Sequence, residues 1–306
     1  MTAGAPPEHP LVMGVLNVTP DSFSDGGEHV REGSAPDTRS ALEAALAMIR
    51  DGADVIDVGG ESTRPGADPV PPAEEQRRVI PVLEALAAHP AAATTRLSID
   101  TRNAETARTA LAAGATLLND VSASLWEVAA EAGAGWVAMH MAGDPLTMQS
   151  EPRYSDVVSE VRAFLDARAA EAERGGLEEV WVDPGIGFGK TTAHNVALLA
   201  HTDALVADGR PVLVGCSRKR SIGVLLARAD QNLPPRPDFG VGSGEFDVVE
   251  PVSTPDRLPG SLTAASWAII GGAHCVRVHD VAATARARAA LAGAGKVRGG
   301  TGNGQG

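Results

Sequence analysis

Short apolar runs that end in polar or glycine residues recur along the chain. Runs of this length are typical of strands that are buried on both faces of a parallel sheet. They predict eight strands, at residues 11–16, 55–58, 97–99, 116–118, 136–139, 180–182, 212–214 and 275–278.

Alanine-rich segments with the periodicity of amphipathic helices separate these runs. The segments cover residues 39–50, 74–88, 104–113, 154–174, 195–207 and 261–270. Several of them finish at a glycine, which commonly ends a helix. The sequence therefore predicts strands and helices in alternation, which is the pattern of a parallel α/β fold.

The alternation is long enough to close into a single-domain (β/α)8 TIM barrel, because eight strands joined in a ring leave no free edge. A doubly wound open sheet is the alternative, and periodicity alone does not separate the two. A barrel also predicts reactive residues after many different strands, since its active sites lie at the carboxyl ends of the strands. Polar motifs follow most of the predicted strands, so we favour the barrel.

A chain of 306 residues suits one domain. Hydrophobic residues make up 43% and aromatic residues only 3%, so the core is expected to be aliphatic and rich in alanine. We expect a flexible N-terminus at residues 1–10, a barrel domain at 11–291 and a disordered glycine-rich tail at 292–306. Residues 230–259 are rich in proline, glycine and acids, which predicts an irregular surface insertion.

The formal net charge of −13 argues against nucleic-acid or anionic-membrane partners, because both require a basic surface. Any pocket for an anion must then be a local feature. Cys216 and Cys275 lie in apolar stretches without CxxC spacing, which indicates buried thiols in a reduced compartment. The chain shows neither a secretory signal nor an apolar stretch of membrane-spanning length, so we expect a cytoplasmic protein.

Polar loops follow the first two predicted strands. Asn17 and Asp21 could supply oxygen ligands to Mg²⁺ beside a diphosphate, or they could be a strand-end amide and a turn residue. Two glycines followed by Ser62, Thr63 and Arg64 could approach an anion closely, or they could form a solvated turn. Each loop alone is weak evidence for a site.

Carboxylate and amide groups end the third, fourth and sixth predicted strands, at Asp100, Asn119 and Asp183. Because strand ends meet at one mouth of a barrel, these groups could bind the donor and acceptor edge of a flat heterocycle. Alternatively, Asp100 and Asn119 could cap the helices that follow them. The glycines after Asp183 fit neither the dinucleotide motif nor the Walker A motif, so Lys190-Thr191 is not interpreted as a nucleotide site.

Cations follow the seventh and eighth predicted strands. Ser-Arg-Lys-Arg occupies residues 217–220, and Arg277 and His279 point to one face because they are two residues apart on a strand. In an acidic chain, this cluster predicts a local anion site; an exposed basic turn with a capping histidine is the alternative. The chain has no GxSxG elbow, HExxH helix or candidate catalytic cysteine, so acyl-enzyme, zinc-peptidase and thiol mechanisms have no support.

Seven motifs, in the same order, resemble the signature set of the dihydropteroate synthase family. They are MGVLNVTPDSFSDGG, DVIDVGGESTRPGA, SIDT, LLNDVS, WVDPGIGFGK, VGCSRKR and VRVHDV. The resemblance implies a TIM-barrel transferase of folate biosynthesis, of the kind that sulfonamides target. Such an enzyme condenses 6-hydroxymethyl-7,8-dihydropterin diphosphate with p-aminobenzoate, gives 7,8-dihydropteroate and diphosphate, and forms a homodimer.

The resemblance also implies a role for individual residues. The pterin pocket would contain Asp100, Asn119, Asp183, Gly215 and Lys219. Mg²⁺ would bind at Asn17, while Arg277 and His279 would hold the phosphates and Phe188 and Lys219 would hold p-aminobenzoate. Two mobile loops would contribute Asp21, Phe23, Thr63, Arg64 and Pro65. The catalytic residues would be Asp100, Lys219, Arg277 and His279.

Two other functions fit a pterin pocket: a catalytically silent pterin-binding paralogue and a pterin-dependent methyltransferase domain. A silent paralogue would be expected to lose a loop motif, and a methyltransferase has little use for Ser-Thr-Arg-Pro together with Ser-Arg-Lys. This chain keeps all of these motifs. It departs from the family at Arg220, where many relatives carry serine, and in the length of the 230–259 insertion.

Overall fold

The computed structural model describes residues 9–19, 37–61, 69–143, 148–149, 152–233 and 247–299. Within these residues the chain alternates between strands and helices, as the sequence predicts. The strands are β1 (Leu11–Asn17), β2 (Val55–Gly59), β3 (Arg96–Asp100), β4 (Leu117–Asp120), β5 (Gly135–Met139), β6 (Val180–Asp183), β7 (Leu213–Val214) and β8 (Cys275–Val278).

The strands form one parallel sheet in the order β6-β5-β4-β3-β2-β1-β8-β7. A parallel bridge between Val182 and Val212 joins β6 to the start of β7 and brings the two ends of the sheet together. The (β/α)8 barrel is therefore confirmed, and the open doubly wound sheet is excluded. All eight predicted strands are present, with small shifts at their ends.

Ten α-helices and two complete 3₁₀ turns are found in the described residues. The helices are α1 (Thr38–Arg50), α2 (Pro72–Ala87), α3 (Ala104–Ala112), α4 (Trp126–Ala132), α5 (Val157–Arg174), α6 (Thr192–Ala200), α7 (Thr202–Val206), α8 (Arg220–Asp230), α9 (Leu258–Ile270) and α10 (Val281–Gly299). The turns lie at Pro90–Ala92 and Pro255–Arg257. None of these helices combines the length and the apolar character that a membrane span needs.

The predicted helix at residues 195–207 is two helices, because the chain turns at His201 between α6 and α7. The pattern analysis missed α4, α8 and α10. The expected disordered tail is wrong for residues 292–299, where the backbone continues α10. Alanine, lysine and arginine are strong helix formers, and the cost of about 1 kcal/mol for each glycine does not end this helix.

The described part of the expected insertion contains short 3₁₀ segments at residues 247–248 and Pro255–Arg257, and its first residue, Asp230, still belongs to α8. Its end was placed too late, because α9 begins at Leu258 with Pro259 in its first turn, where proline is well tolerated. Residues 1–8, 234–246 and 300–306 of the predicted irregular segments lie outside the described residues.

The core has two layers because alternate residues of each strand face opposite sides of the barrel wall. One large cluster lies between the wall and the helices and includes Leu16, Ile56, Val79 and Leu83. A second cluster fills the barrel interior with one residue from most strands: Met13, Val55, Leu117, Val137, Trp181, Leu213 and Cys275. This inner layer forms an apolar floor within the barrel.

Both cysteines are free and buried, as the sequence predicts. Burial raises the pKa of the Cys216 thiol to about 12 and also raises that of Cys275. The thiols therefore stay protonated at neutral pH and serve as small apolar side chains.

Asp120, at the end of β4, supports the connection into α4. Its carboxylate is fully buried and accepts hydrogen bonds from the backbone N–H groups of Ser124 and Leu125, both at 2.7 Å, and from Trp136 Nε1 at 3.1 Å. It also accepts from the N–H of Ser122 at 2.9 Å. With the hydroxyl of Ser122, this one buried carboxylate accepts from five donors.

We predict that Asp120→Asn lowers the free energy of unfolding by about 2–3 kcal/mol, because the amide turns an NH₂ group toward donors that then lack an acceptor. Urea unfolding followed by circular dichroism measures the change. Asp156→Asn is the control, since Asp156 is an exposed N-cap of α5 and asparagine caps a helix equally well. Equal stability of the two variants would contradict the prediction.

Candidate active site

The polar residues of the barrel mouth form the next layer after the apolar floor, toward the carboxyl ends of the strands. Two residues after Val55, Leu117, Trp181 and Cys275 of the floor come Asp57, Asn119, Asp183 and Arg277. Side chains two apart on a strand share a face, so these four groups enter the barrel interior from four strands. The same alternation that builds the core thus builds the site.

A cavity of about 360 Å³ opens at this level. Seven of the predicted site residues line it: Asp100, Asn119, Asp183, Phe188, Gly215, Lys219 and Arg277. Val121, Met139 and Ile186 join Phe188 as its apolar wall. The carboxyl end of the barrel therefore holds a pocket with carboxylates, an amide and cations on one part of its lining and apolar side chains on another.

Arg277 lies between two carboxylates at the centre of the mouth. Its Nε donates to Asp57 Oδ2 and its Nη2 to Asp100 Oδ2, both at 2.6 Å. Burial alone would lower the pKa of Arg277, but the charges of Asp57 and Asp100 raise it, so the guanidinium stays charged. Its third nitrogen, Nη1, donates to no group in the part of the chain that the structure describes.

Asp57 is a site residue that the sequence analysis missed. Besides Arg277, its buried carboxylate accepts from Ser98 Oγ at 2.6 Å and from Asn119 Nδ2 at 2.9 Å. The bond to Asn119 fixes the amide so that its oxygen is left for another partner. A signal was present, since Asp57 is the one charged residue in the apolar strand β2, and a buried charge needs partners.

The alternative that Asp100 and Asn119 cap helices is excluded. Asp100 pairs with Arg277 and Asn119 with Asp57, while Asn103 occupies the N-cap position of α3. After β4 it is Asp120 that bonds the connection into α4, whose N-cap residue is Leu125.

Burial changes the protonation of the two carboxyl groups that line the cavity. Burial raises the pKa of Asp100 to about 7, with Arg277 opposing the rise, and burial raises that of Asp183 to about 6, opposed by the N–H of Gly185 at 2.7 Å. Carboxyl groups that titrate near neutral pH can either donate to or accept from a bound heterocycle.

The cations after β7 separate, so the predicted basic cluster is wrong for two of its members. Arg218 pairs with Asp280 and Arg220 lies 3.5 Å from Asp247, both away from the cavity. Lys219 alone enters the cavity, near Arg277. The acidic partners explain the outcome, because each draws one arginine outward.

Lys219 lies against the aromatic wall. Its Nζ is 4.1 Å from the centroid of the Phe188 ring, a cation–π contact. Burial lowers the pKa of Lys219 to about 8, and Arg277 lowers it further while Asp183 and Asp100 oppose the shift. The lysine therefore remains mostly charged at neutral pH, beside an apolar surface.

His279 is present at the rim, but it is not among the residues that line the cavity. The Oγ of Ser217 lies 3.2 Å from both its backbone nitrogen and its Nδ1. Burial, followed by the charge of Arg277, lowers the pKa of His279 to about 3, so the imidazole is neutral. It can offer a hydrogen bond to an anion, but it adds no positive charge.

The glycine-rich loop after β6 is organised by a buried lysine. Lys190 Nζ donates to the carbonyl oxygens of Phe188 at 3.0 Å, Gly185 at 3.1 Å and His140 at 3.3 Å. At Gly185, with φ +64°, a Cβ would lie 1.9 Å from the His140 oxygen, so only glycine fits. The carbonyl groups converge on Lys190, which agrees with the exclusion of a phosphate loop.

Asn17 ends β1 beside the carboxylates. Its Oδ1 and Asp100 Oδ2 lie 3.8 and 3.7 Å from the point that a Cβ on Gly59 would occupy. The strand register explains this, because Asn17 pairs with Gly59, and Gly59 with Asp100. The remaining predicted site residues, Asp21, Phe23, Thr63, Arg64 and Pro65, lie outside the described residues.

Comparisons with known proteins agree on one family. The model of the pterin binding enzymes matches residues 13–279. Dihydropteroate synthase from Escherichia coli K12 is 44% identical over 285 residues, which cover 91% of this chain and 89% of the relative.

Two solved structures are also similar. Xanthomonas albilineans dihydropteroate synthase with 4-aminobenzoic acid has a TM-score of 0.78 at 43% identity, covering 94% of this chain and 93% of that one. Yersinia pestis dihydropteroate synthase with a sulfonamide drug has a TM-score of 0.78 at 38% identity, covering 94% and 95%. The likeness thus extends over nearly the whole chain.

We predict that Asp183→Asn removes a pH dependence of stability. The pKa of Asp183 is about 6 when folded, against about 4 for an unfolded aspartate. Its contribution to stability is therefore present below pH ~4 and is lost as the pH rises through about 6. Urea unfolding at several pH values should show wild type losing stability relative to the variant over this window.

The exposed Asp203 supplies the control, since Asp203→Asn makes the same substitution at a carboxyl group on the surface. Parallel profiles for wild type and Asp183→Asn would show that Asp183 titrates normally.

Proposed function

The chain belongs to the dihydropteroate synthase family of pterin binding enzymes, and we propose that it condenses 6-hydroxymethyl-7,8-dihydropterin diphosphate with p-aminobenzoate. The products are 7,8-dihydropteroate and diphosphate. One observation carries the proposal: a single cavity holds Asp100, Asn119 and Asp183 together with Lys219 and Arg277. The comparisons give no support to a silent paralogue or a methyltransferase.

Asp100, Asn119 and Asp183 would bind the pterin ring. A pterin presents ring N–H and amino donors next to acceptor nitrogens and a carbonyl, which suits carboxyl groups and a fixed amide. Asp57 would act through Asn119, by holding its Nδ2 at 2.9 Å and leaving its oxygen toward the cavity. Gly215 and Lys219 would line one side of the ring.

The aromatic amine would bind against Phe188. The ring of Phe188 is only 8% exposed and already carries Lys219 on its face, so an apolar ring and an anionic carboxylate find complementary groups there. Thr63, Arg64, Pro65, Asp21 and Phe23 remain proposed contributors to the closing loops. Arg220, which stands where many relatives carry serine, is directed toward Asp247.

The reaction requires no enzyme nucleophile. The C–O bond from the pterin methylene to diphosphate breaks, the amine nitrogen forms the C–N bond, and the amine loses a proton. Arg277, whose Nη1 has no partner among the described residues, and neutral His279 would stabilise the charge that grows on diphosphate, a contribution that counts where it is stronger in the transition state. Asp100 would offset positive charge that spreads into the ring.

Mg²⁺ is part of the proposal, and the residues present fit it. Magnesium binds through one or two protein oxygens together with substrate phosphates and water. The amide oxygen of Asn17 is a suitable ligand beside the carboxylate of Asp100. When bound, Mg²⁺ would neutralise charge on the diphosphate.

We also propose a homodimer in the cytoplasm. Helix α9 contains no charged residue, and it exposes Thr263, Trp267 and Ile270 at helical spacing along one stripe. Trp267 is 55% exposed and Ile270 is 69% exposed, and large apolar side chains grouped on a surface commonly mark an interface. Buried free thiols are consistent with a reducing compartment.

The proposed activity predicts that purified protein with the pterin diphosphate and Mg²⁺ forms dihydropteroate only when p-aminobenzoate is added. Chromatography follows the product, and a coupled assay follows diphosphate. Asp183→Asn should lower kcat/KM by at least about tenfold, since a hydrogen bond to a charged group contributes about 1.5–3 kcal/mol. Activity that persists in EDTA would remove Mg²⁺ from the proposal, and pterin binding without product would favour a silent paralogue.

We predict that the double variant Trp267→Glu/Ile270→Glu raises the dimer dissociation constant at least about thirtyfold, because a central tryptophan contributes about 2 kcal/mol or more to an interface. Sedimentation velocity over a range of concentrations measures it. Val248→Glu is the control, since Val248 is 79% exposed but lies outside α9. A double variant that dimerises like wild type would move the interface elsewhere.

A further inference from the structure

Arg218, the residue before Lys219, has a backbone conformation that its side chain disfavours. Its φ is +58°, in the left-handed region, which costs a residue with a Cβ roughly 1–2 kcal/mol. Strained residues persist only where the surrounding structure holds them. Because Lys219 follows directly, relaxation of this backbone would move the one lysine that lines the cavity.

The backbone of Arg218 is held on both sides. Its N–H donates to Ser261 Oγ at 3.0 Å, and its carbonyl accepts from Arg257 Nη1 at 3.1 Å. Ser261 and Arg257 are themselves joined, since Ser261 Oγ donates to the Arg257 carbonyl at 2.8 Å. The Arg218 side chain adds a third attachment, through Nε to Asp280 at 3.0 Å.

Arg257 belongs to the described end of the insertion, residues 247–257, which we call the brace. Within the brace, Arg257 Nε donates to the Val252 carbonyl at 2.9 Å, and the Val252 N–H donates to Gly223 of α8 at 3.2 Å. A Cβ on Gly223 would lie 2.7 Å from Arg257 Nε and 2.9 Å from Pro251 Cβ. Glycine at this position therefore allows the brace to pack directly against α8.

The start of the brace, at Asp247, is also bonded to the neighbouring helices. Asp247 accepts from the N–H of Thr192, at the start of α6, at 3.1 Å, and lies 3.5 Å from Arg220, the first residue of α8. The brace thus contacts the first turn of α8 at two places, Arg220 and Gly223, directly after Lys219. The family motifs quoted above do not include the residues of the brace itself, 247–257.

We propose that the brace positions Lys219, through Arg257, by holding the peptide of Arg218 in its left-handed conformation. Arg257 is a positioning residue: it is not among the residues that line the cavity and acts through Arg218. The inference rests on the proposed function only for its kinetic readout, since the position of Lys219 can also be measured directly.

A double-variant experiment in the full-length protein tests the proposal. Arg257→Ala should lower kcat/KM for the pterin diphosphate about tenfold, because the strained backbone of Arg218 is then no longer held and Lys219 moves with it. Arg218→Gly removes the strain, because glycine adopts positive φ without steric cost. In that background, Arg257→Ala should lower kcat/KM by less than about threefold, since no strained conformation remains to be held.

The acylation rate of Lys219 by an amine-reactive ester, measured by mass spectrometry of its peptide, provides a readout that needs no catalysis. In Arg257→Ala the pH profile of this rate should move from a midpoint near 8 toward the ordinary lysine value of about 10, because the displaced lysine leaves its buried position. The shift should disappear in the Arg218→Gly background. Ser261→Ala, which removes the acceptor for the Arg218 N–H, provides a second variant with the same expected pattern.

Arg50→Ala is the matched control, because Arg50 is an exposed arginine at the end of α1. Equal losses from Arg257→Ala in both backgrounds, or an unchanged pH profile of acylation, would overturn the proposal. If wild type makes no dihydropteroate, the proposed function fails by itself, and the acylation rates still decide whether the brace positions Lys219.

Discussion

The ion pairs of Arg277 with Asp57 and Asp100 are the interaction on which the mouth of the barrel depends. An arginine, two carboxylates and the amide of Asn119 are largely removed from water together, and each is hydrogen-bonded to at least one of the others. Loss of either carboxylate would leave a buried charge with one partner fewer, which is costly. The network therefore fixes the orientation of the groups that line the cavity before any ligand arrives.

The sequence predicted the barrel well because its strands are buried on both faces, so each one appears as a short apolar run. It predicted the pocket for a related reason: Asp100, Asn119 and Asp183 follow such runs, and parallel strands bring their carboxyl ends together. The sequence did not predict α8 or α10. The cationic residues at the start of α8 indicated an anion site, and the glycine-rich end of α10 indicated a disordered tail. Local composition did not reveal that Arg218 and Arg220 each have an acidic partner distant in sequence.

Asp57 and Lys190 show the same limit inside the molecule. Asp57 lies in a predicted apolar strand and Lys190 at the end of a glycine-rich loop, and neither segment indicates what its charged residue binds. Only the fold shows that Asp57 satisfies three donors and that Lys190 satisfies three carbonyl groups. Long-range pairing of buried polar groups depends on strand order and register, which a single sequence specifies but does not display.

The joint between β6 and β7 has a consequence for how binding and folding are linked. The ring closes there through one bridge, Val182 with Val212, whereas β1 and β2 pair at five successive positions. Asp183 lies on one side of this joint, and Gly215 and Lys219 lie on the other. A ligand held by both sides acts as a non-covalent cross-link at the least hydrogen-bonded part of the wall. Ligand binding and closure of the barrel then reinforce each other, because a ligand that binds only the closed barrel lowers the free energy of the closed barrel.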